Sequence, residues 1–278
     1  MRVGWSKIFR ALGVGLNTGK NQAFTPKTPR FTVVTPVYDR TNELEECIKS
    51  VLQQSFKNFE FILVCDGSPP ETLAVVNAFA QNAHVRIHKF EENSGNACRG
   101  RNMAMNMARG KYIAFLDSDD IAMPDRLENT LALFNTTGAD IIYGAAKFIA
   151  DGSRAIPGVN DGSILRPEPF DLEKAKSGNP ILTSTAAVRL SCLKKFGAFR
   201  PEMKYREDHE LWLRLAFNGC KFACSEQILS AYRVHAGNAE LNFVQDDDRW
   251  QNLMLTLYQQ PAPQTQPRCP AKKHEKRE

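Results

Sequence analysis

From Arg30 to Ile149 the chain repeats one pattern: a short apolar run, a polar turn, then an amphipathic stretch with helical spacing. The apolar runs are "RFTVVTPV", "NFEFILVCD", "HVRIHKF", "KYIAFLD" and "ADIIYGAAKFI". Between them lie "ELEECIKSVLQQ", with Thr41 or Asn42 offered as N-cap, then "ETLAVVNAFAQ", "CRGRNMAMNMA" and "PDRLENTLALF", with Pro124 near its start. Strands that alternate with helices exclude an all-β sandwich and an all-helical bundle. They predict an α/β fold: a Rossmann-like, mostly parallel sheet with helices on both faces. Residues 150–185 are less regular. Beyond them "STAAVR" and "ILSAYRVH" read as strands, and "SCLKKFG" and "YREDHELWLRLAFNG" as helices.

Charge is distributed unevenly around this core. Residues 1–30 carry six Lys/Arg and no acid, and the last eighteen carry five Lys/Arg and two Glu, which leaves the body mildly acidic. A body without a basic face argues against nucleic-acid binding. The expected organisation is a basic, partly amphipathic segment over 1–30, one domain over 31–258 with halves 31–149 and 150–258, and a disordered basic tail over 259–278. In "MRVGWSKIFRALGVG", Val3, Trp5, Ile8, Phe9 and Leu12 share a helical face beside Arg2, Lys7 and Arg10. Residues 1–16 therefore suit either a membrane-surface helix or one packed on its own domain. Seven cysteines are scattered without a Cys-x-x-Cys pair, and no membrane span or signal-peptide pattern is present. The expected location is the cytoplasm, with residues 1–16 as a candidate contact to the inner face of the cytoplasmic membrane. Cys220 and Cys224 suggest a pair or metal ligands, but no His or Cys partner set with zinc spacing lies nearby.

In open α/β sheets ligands bind beyond the carboxyl ends of the strands, where the strand order reverses. Polar clusters stand at three such ends: Thr35 to Arg40, "DGS" at Asp66 to Ser68, and "DSDD" at Asp117 to Asp120. With the order 3-2-1-4 they rim one crevice. In an extended segment Asp117 and Asp119 point the same way, so both can address one hard cation such as Mg²⁺ or Mn²⁺. The alternative is a polar strand-to-helix turn in which Asp120 merely favours the N-terminus of the next helix. In "REDHELWLRL", Asp208, Leu211, Trp212 and Leu215 form one helical stripe, which places Asp208 at the inner end of an apolar face with Glu207 to its side.

The segments "TPVYDR", "VCDGS", "NSGNACRGRNMAMNMARGKYIAFLDSDD" and "REDHELWLRL" together resemble the family 2 glycosyltransferases, over about residues 31–240. The resemblance implies the glycosyltransferase-A fold. It also implies inverting transfer of a sugar from a nucleotide diphosphate donor, most often a uridine diphosphate sugar, to an acceptor hydroxyl, with Mn²⁺ or Mg²⁺ as cofactor. By the same resemblance Thr35, Pro36, Tyr38, Asp66, Arg101, Asn102, Asp117 and Ser118 surround the donor, with Arg99 and Arg101 able to exchange roles. Asp119 is the first choice for metal ligand, joined by Asp117 and by His235 of "YRVHAGN", and Arg233 is a candidate contact to the diphosphate. Asp208 is the implied base, with Glu207 beside it, and Trp212 is expected in the core. The acceptor is a glycan, a lipid-linked sugar or another hydroxyl compound, in bacterial surface polysaccharide or glycolipid synthesis. A nucleotidyltransferase, a glycoside hydrolase and a non-catalytic sugar-nucleotide sensor are the rivals. Pyrophosphate release, donor-free glycan cleavage, and binding without turnover would distinguish them.

Overall fold

The computed structural model describes residues 28–150, 160–203 and 205–235. The expectations for residues 1–16 and for the tail lie outside the described residues. The first half follows the predicted alternation: β1 (Phe31–Val37), α1 (Thr41–Leu52), β2 (Phe59–Asp66), α2 (Pro70–Ala78), β3 (Val85–Phe90), α3 (Cys98–Met107), β4 (Tyr112–Phe115), β5 (Ile121–Ala122), α4 (Arg126–Thr137) and β6 (Ile141–Ala150). The second half adds β7 (Ile164–Leu165), α5 (Leu172–Ser177), a 3₁₀ turn (Thr183–Thr185), β8 (Ala187–Arg189), α6 (Leu190–Phe196), α7 (Glu207–Phe217) and β9 (Phe222–Val234).

The sheet runs β3-β2-β1-β4-β8-β6-β9-β5, with β7 on β6. Strands β3, β2, β1 and β4 are parallel neighbours, so the order expected for the first half holds. Beyond β4 the sheet is mixed, because β8 pairs antiparallel with both β4 and β6 while β9 runs parallel to β6. Inserting one reversed strand restores the original direction at β6 and β9. The carboxyl ends of β1, β2, β4 and β9 therefore share one edge.

Alternation along each strand builds two cores. Phe31, Val33, Phe61, Leu63 and Ala114 face Leu44, Ile48 and Val51 of α1, Val76 of α2 and Phe134 of α4. Val34, Ile62, Val64, Ile113 and Phe115 face Ala104 of α3 and Leu211, Trp212 and Leu215 of α7. Every residue of β2 is buried, as expected of a strand covered on both faces. Trp212 is fully buried against Phe115. The start of α1 differs from expectation. The helix begins at Thr41 itself, without a side-chain cap, and the Thr41 hydroxyl pairs with that of Thr72 at 2.9 Å, tying α1 to α2.

Candidate active site

The three acids of "DSDD" diverge. Strand β4 ends at Phe115, and residues 118–119 form a turn closed by the Asp120 N–H donating to the Asp117 carbonyl at 3.1 Å. Period-two alternation does not extend into a turn, and here Asp117 and Asp119 take different partners. Asp117 faces α3, where Arg101 Nη2 donates to its Oδ1 at 2.6 Å. Asp119 faces β9, where its Oδ2 lies 2.9 Å from His235 Nε2 and 3.8 Å from Arg40 Nε. Ser118, between them, is half-buried.

Asp120 does not serve a helix N-terminus. It is buried, and its Oδ1 accepts the Arg233 backbone N–H at 2.8 Å. Burial, reinforced by Asp119 and Asp117, pushes its carboxyl well above the usual range. Arg126, also fully buried, lies behind the cluster and donates to the Phe115 carbonyl at 2.6 Å. Desolvation pulls its guanidinium down to about 10, against the pull of Asp120. Arg233 donates from Nε to the Asp119 carbonyl at 2.9 Å and from Nη2 to Glu46 at 2.7 Å, which places it on the acidic motif.

Arg101 is the hub. It is 4% exposed and bridges Asp117 to Glu207 Oε1, the second bond being 2.7 Å long. Burial alone would lower its pKa, but Asp117 and Glu207 outweigh burial and raise it. The Phe199 ring packs 5.0 Å from its guanidinium. Burial raises the Glu207 carboxyl while Arg101 opposes the rise. Asp208 is held separately: its Oδ2 accepts from Thr183 Oγ1 at 2.7 Å and from Asn179 Nδ2 at 3.0 Å. Just before this pair Arg206 adopts a left-handed backbone, φ 58°, the one non-glycine at positive φ among the described residues. Held strain of this kind concentrates at functional sites.

The nucleotide end of the crevice lies at β1 and β2. Asp66 is buried, and its Oδ2 accepts from the Ser94 N–H at 3.1 Å and hydroxyl at 2.7 Å, while Arg99 Nε donates to Oδ1 at 2.6 Å. Arg99 and Arg101 thus divide their work, one at Asp66 and one at Asp117. Gly67 makes this turn with φ +65°, and a β-carbon there would stand 2.3 Å from the Asn93 nitrogen. Only glycine lets the loop carrying Ser94 lie this close. Tyr38 is 46% exposed beside the crevice, a ring face open to a ligand. Pro36 supports α3: a β-carbon at Gly100 would lie 3.0 Å from Pro36 Cβ.

Two expected donor residues use their side chains inside the protein. The Thr35 side chain is fully buried, near the carboxyl end of β1. Asn102 donates to the Phe199 carbonyl at 2.8 Å and accepts the Phe199 N–H at 3.0 Å, so both ends of its amide hold a loop. That loop presents Phe199 to Arg101. Thr183, Asn179 and Glu46 were not singled out in the sequence. Each is an ordinary polar residue in its local context, and only long-range contact marks it.

Within the crevice, one pair of donors suits a divalent cation. A carboxylate oxygen of Asp119 and an imidazole nitrogen of His235, 2.9 Å apart, are both donors that Mn²⁺ accepts. Asp117 Oδ1 is engaged by Arg101.

Comparison with known proteins agrees with this architecture. The model of the family described as "Glycosyl transferase family 2" matches residues 32–195. The chain is 25% identical over 237 residues to the Escherichia coli UDP-Glc:alpha-D-GlcNAc-diphosphoundecaprenol beta-1,3-glucosyltransferase WfaP, covering 81% of this chain and 86% of that protein. It superposes on S. aureus TarS 1-349 in complex with UDP-GlcNAc with TM-score 0.66 and 21% identity, over 82% of this chain and 66% of that one. It superposes on the mannosyltransferase PcManGT from Pyrobaculum calidifontis, in complex with GDP-Man and Mn²⁺, with TM-score 0.58 and 17% identity, over 84% and 64%. The family match spans more than half the chain, and the fold is the one the TarS structure displays; this protein belongs to glycosyltransferase family 2 and has a glycosyltransferase-A-like fold.

Proposed function

We propose that this protein is an inverting glycosyltransferase. It moves a sugar from a uridine diphosphate donor to the hydroxyl of a glycan or lipid-linked acceptor, assisted by Mn²⁺. One observation carries the proposal: Asp208, oriented by Thr183 and Asn179, stands across the Arg101 bridge from the Asp117 and Asp119 turn. One base beside one donor site is what a single in-line displacement needs. Asp208 accepts the acceptor's proton as that oxygen attacks the anomeric carbon on the face opposite the leaving diphosphate. Glu207 is committed to Arg101, which leaves Asp208 for proton transfer. Arg101 also fixes the distance between the donor turn and the base, which orients the reactants. Tyr38 packs on the donor base or ribose, and Asp66 with Arg99 and Ser94 shapes that end of the crevice. Asp119 and His235 would hold the cation, which when bound would supply positive charge beside the donor diphosphate. The imidazole ligand favours Mn²⁺ over Mg²⁺, which prefers oxygen.

The relatives' names support the donor and acceptor classes. WfaP is named for UDP-Glc and a diphosphoundecaprenol-linked acceptor, and TarS is described with UDP-GlcNAc bound. The decisive experiment is calorimetric binding of UDP to wild type and Asp119→Ala, with and without Mn²⁺. It is paired with nuclear magnetic resonance of the product's anomeric configuration. Binding that needs Mn²⁺ and is lost in Asp119→Ala, with an inverted product, is the expected result. UDP binding indifferent to both, or a retained configuration, would overturn the proposal.

A further inference from the structure

A second cluster of ligating groups lies at the opposite end of the sheet from the crevice. Asp140 directly precedes β6, Cys192 is the third residue of α6, and Cys220 sits in the turn from α7 into β9. The carboxylate oxygen and the two sulfurs lie within 4.8 Å of one another. The two thiols share a hydrogen bond, and that of Cys192 also reaches Asp140. Cys220, which the sequence set beside Cys224, thus finds its partner 28 residues upstream in the sequence.

We propose that Asp140, Cys192 and Cys220 form a binding site for a thiophilic divalent cation, zinc in the first instance, distinct from the Asp119 and His235 pair. The donor chemistry supports this. Thiolate sulfur with a carboxylate selects zinc over magnesium or calcium. Around a tetrahedral ion with bonds of about 2.0–2.3 Å, three donors stand roughly 3.3–3.8 Å apart. The existing triangle closes on an ion with a contraction of at most about 1.5 Å. Its frame is set by backbone bonds. The Asp140 N–H donates to the Lys221 carbonyl at 2.7 Å, the Lys221 N–H returns to Asp140 Oδ2 at 3.0 Å, and the Arg189 N–H donates to the Asp140 carbonyl at 2.9 Å. Carboxylate ligands held in this way by outer hydrogen bonds are already oriented.

Charge and access fit as well. Two thiolates and a carboxylate carry −3, and zinc would leave −1. Arg189 Nε, 3.3 Å from Asp140 Oδ1, and nearby Lys195 offset the remainder. On binding, each thiol gives its proton to solvent as the sulfur–metal bond forms. Cys192 is buried, but Cys220 and Asp140 are half-buried, so an ion can enter and a water can complete the tetrahedron. Such an ion would pin β6, α6 and the turn after α7 together, behind the helix that presents Asp208. A disulfide between Cys192 and Cys220 would use only the two sulfurs, whereas an ion uses all three neighbouring donors.

The test is cobalt titration of the full chain, stripped with a chelator and kept reduced with a phosphine. Wild type is expected to take up cobalt with thiolate-to-metal charge-transfer absorption in the near ultraviolet and tetrahedral visible bands, both abolished by one equivalent of zinc. Cys192→Ser and Cys220→Ser lose the charge-transfer band, and Asp140→Asn weakens binding by at least tenfold. Asp119→Ala, Cys224→Ser and Cys269→Ser keep the band. No such band in wild type, or a band surviving Cys220→Ser, overturns the proposal. So does a reduced chain that ignores cobalt yet forms a Cys192–Cys220 disulfide with diamide. If Cys192→Ser fails to fold by circular dichroism, Cys220→Ser, at a half-buried position, decides alone.

Discussion

Three carboxylates on four consecutive residues repel one another, and the fold answers each with a different partner. Asp117 meets Arg101, Asp119 meets His235 and Arg40, and Asp120 is buried under the end of β9. Arg101 matters most for stability, because it is buried between two carboxylates 90 residues apart in sequence. Removing one partner from a buried ion network leaves uncompensated charge. Because Asp117 and Glu207 keep some solvent contact, Arg101→Ala should cost about 3 kcal/mol, the lower end for such a loss. Urea denaturation at neutral pH measures it, and a loss within error of zero would mean that the bridge is not formed. Asp208 has a different role. Thr183, Asn179 and the His209 N–H orient the carboxylate without neutralising it, so Asp208→Asn should lower kcat by about 10²–10⁴-fold and leave UDP affinity unchanged. A steady-state assay paired with calorimetry separates the two quantities.

At the scale of elements, α7 is the piece that joins the two halves of the site. Its apolar residues Leu211, Trp212 and Leu215 are completely buried, as their spacing predicts. Its polar residues are spent on neighbours. Glu210, with no exposure, binds Arg214 and Arg200, and Arg214 also donates to the carbonyls of Phe196, Gly197 and Ala198. His209 Nε2 donates to the Ala175 carbonyl at 2.6 Å and ties α5 to α7. Burial lowers the His209 pKa below its ordinary 6.5, with the Ala175 bond opposing. The unfolded chain takes up a proton near pH 6.5 that the folded chain resists. The stability this histidine contributes is therefore present above about pH 6.5 and lost as pH falls through its lowered folded value. His209→Gln keeps a donor for Ala175 and cannot titrate. Its stability relative to wild type should rise as pH is lowered from 7.5 to 5, as measured by denaturant melts across that range. A constant difference would show that His209 stays neutral in both states or charged in both.

At the scale of the molecule, the site is assembled from the carboxyl ends of β1, β2, β4 and β9 and from the start of α7, so ligands that bind there clamp both halves of the fold. At 100-fold excess over its dissociation constant, UDP with Mn²⁺ should add about 2.7 kcal/mol of stability. Thermal unfolding should show the gain in wild type and not in Asp119→Ala. Among the described residues no helix is long and apolar enough to cross a membrane.

The alternation of strand and helix, the order of the first four strands and the acids at their ends were all legible in the chain. They depend on local periodicity and turn chemistry, which neighbouring residues carry by themselves. Whether residues 117–120 run extended or turn stayed open, because a three-acid run carries no mark of where its strand stops. The partners that give these acids their chemistry were also hidden. Glu207 lies 106 residues from Arg101, His235 lies 116 from Asp119, and Asn102 closes on a loop 97 residues away. Such pairings follow from where β8 and β9 insert into the sheet. That placement is settled by burying both faces of the sheet at once, a requirement that no local pattern of residues encodes.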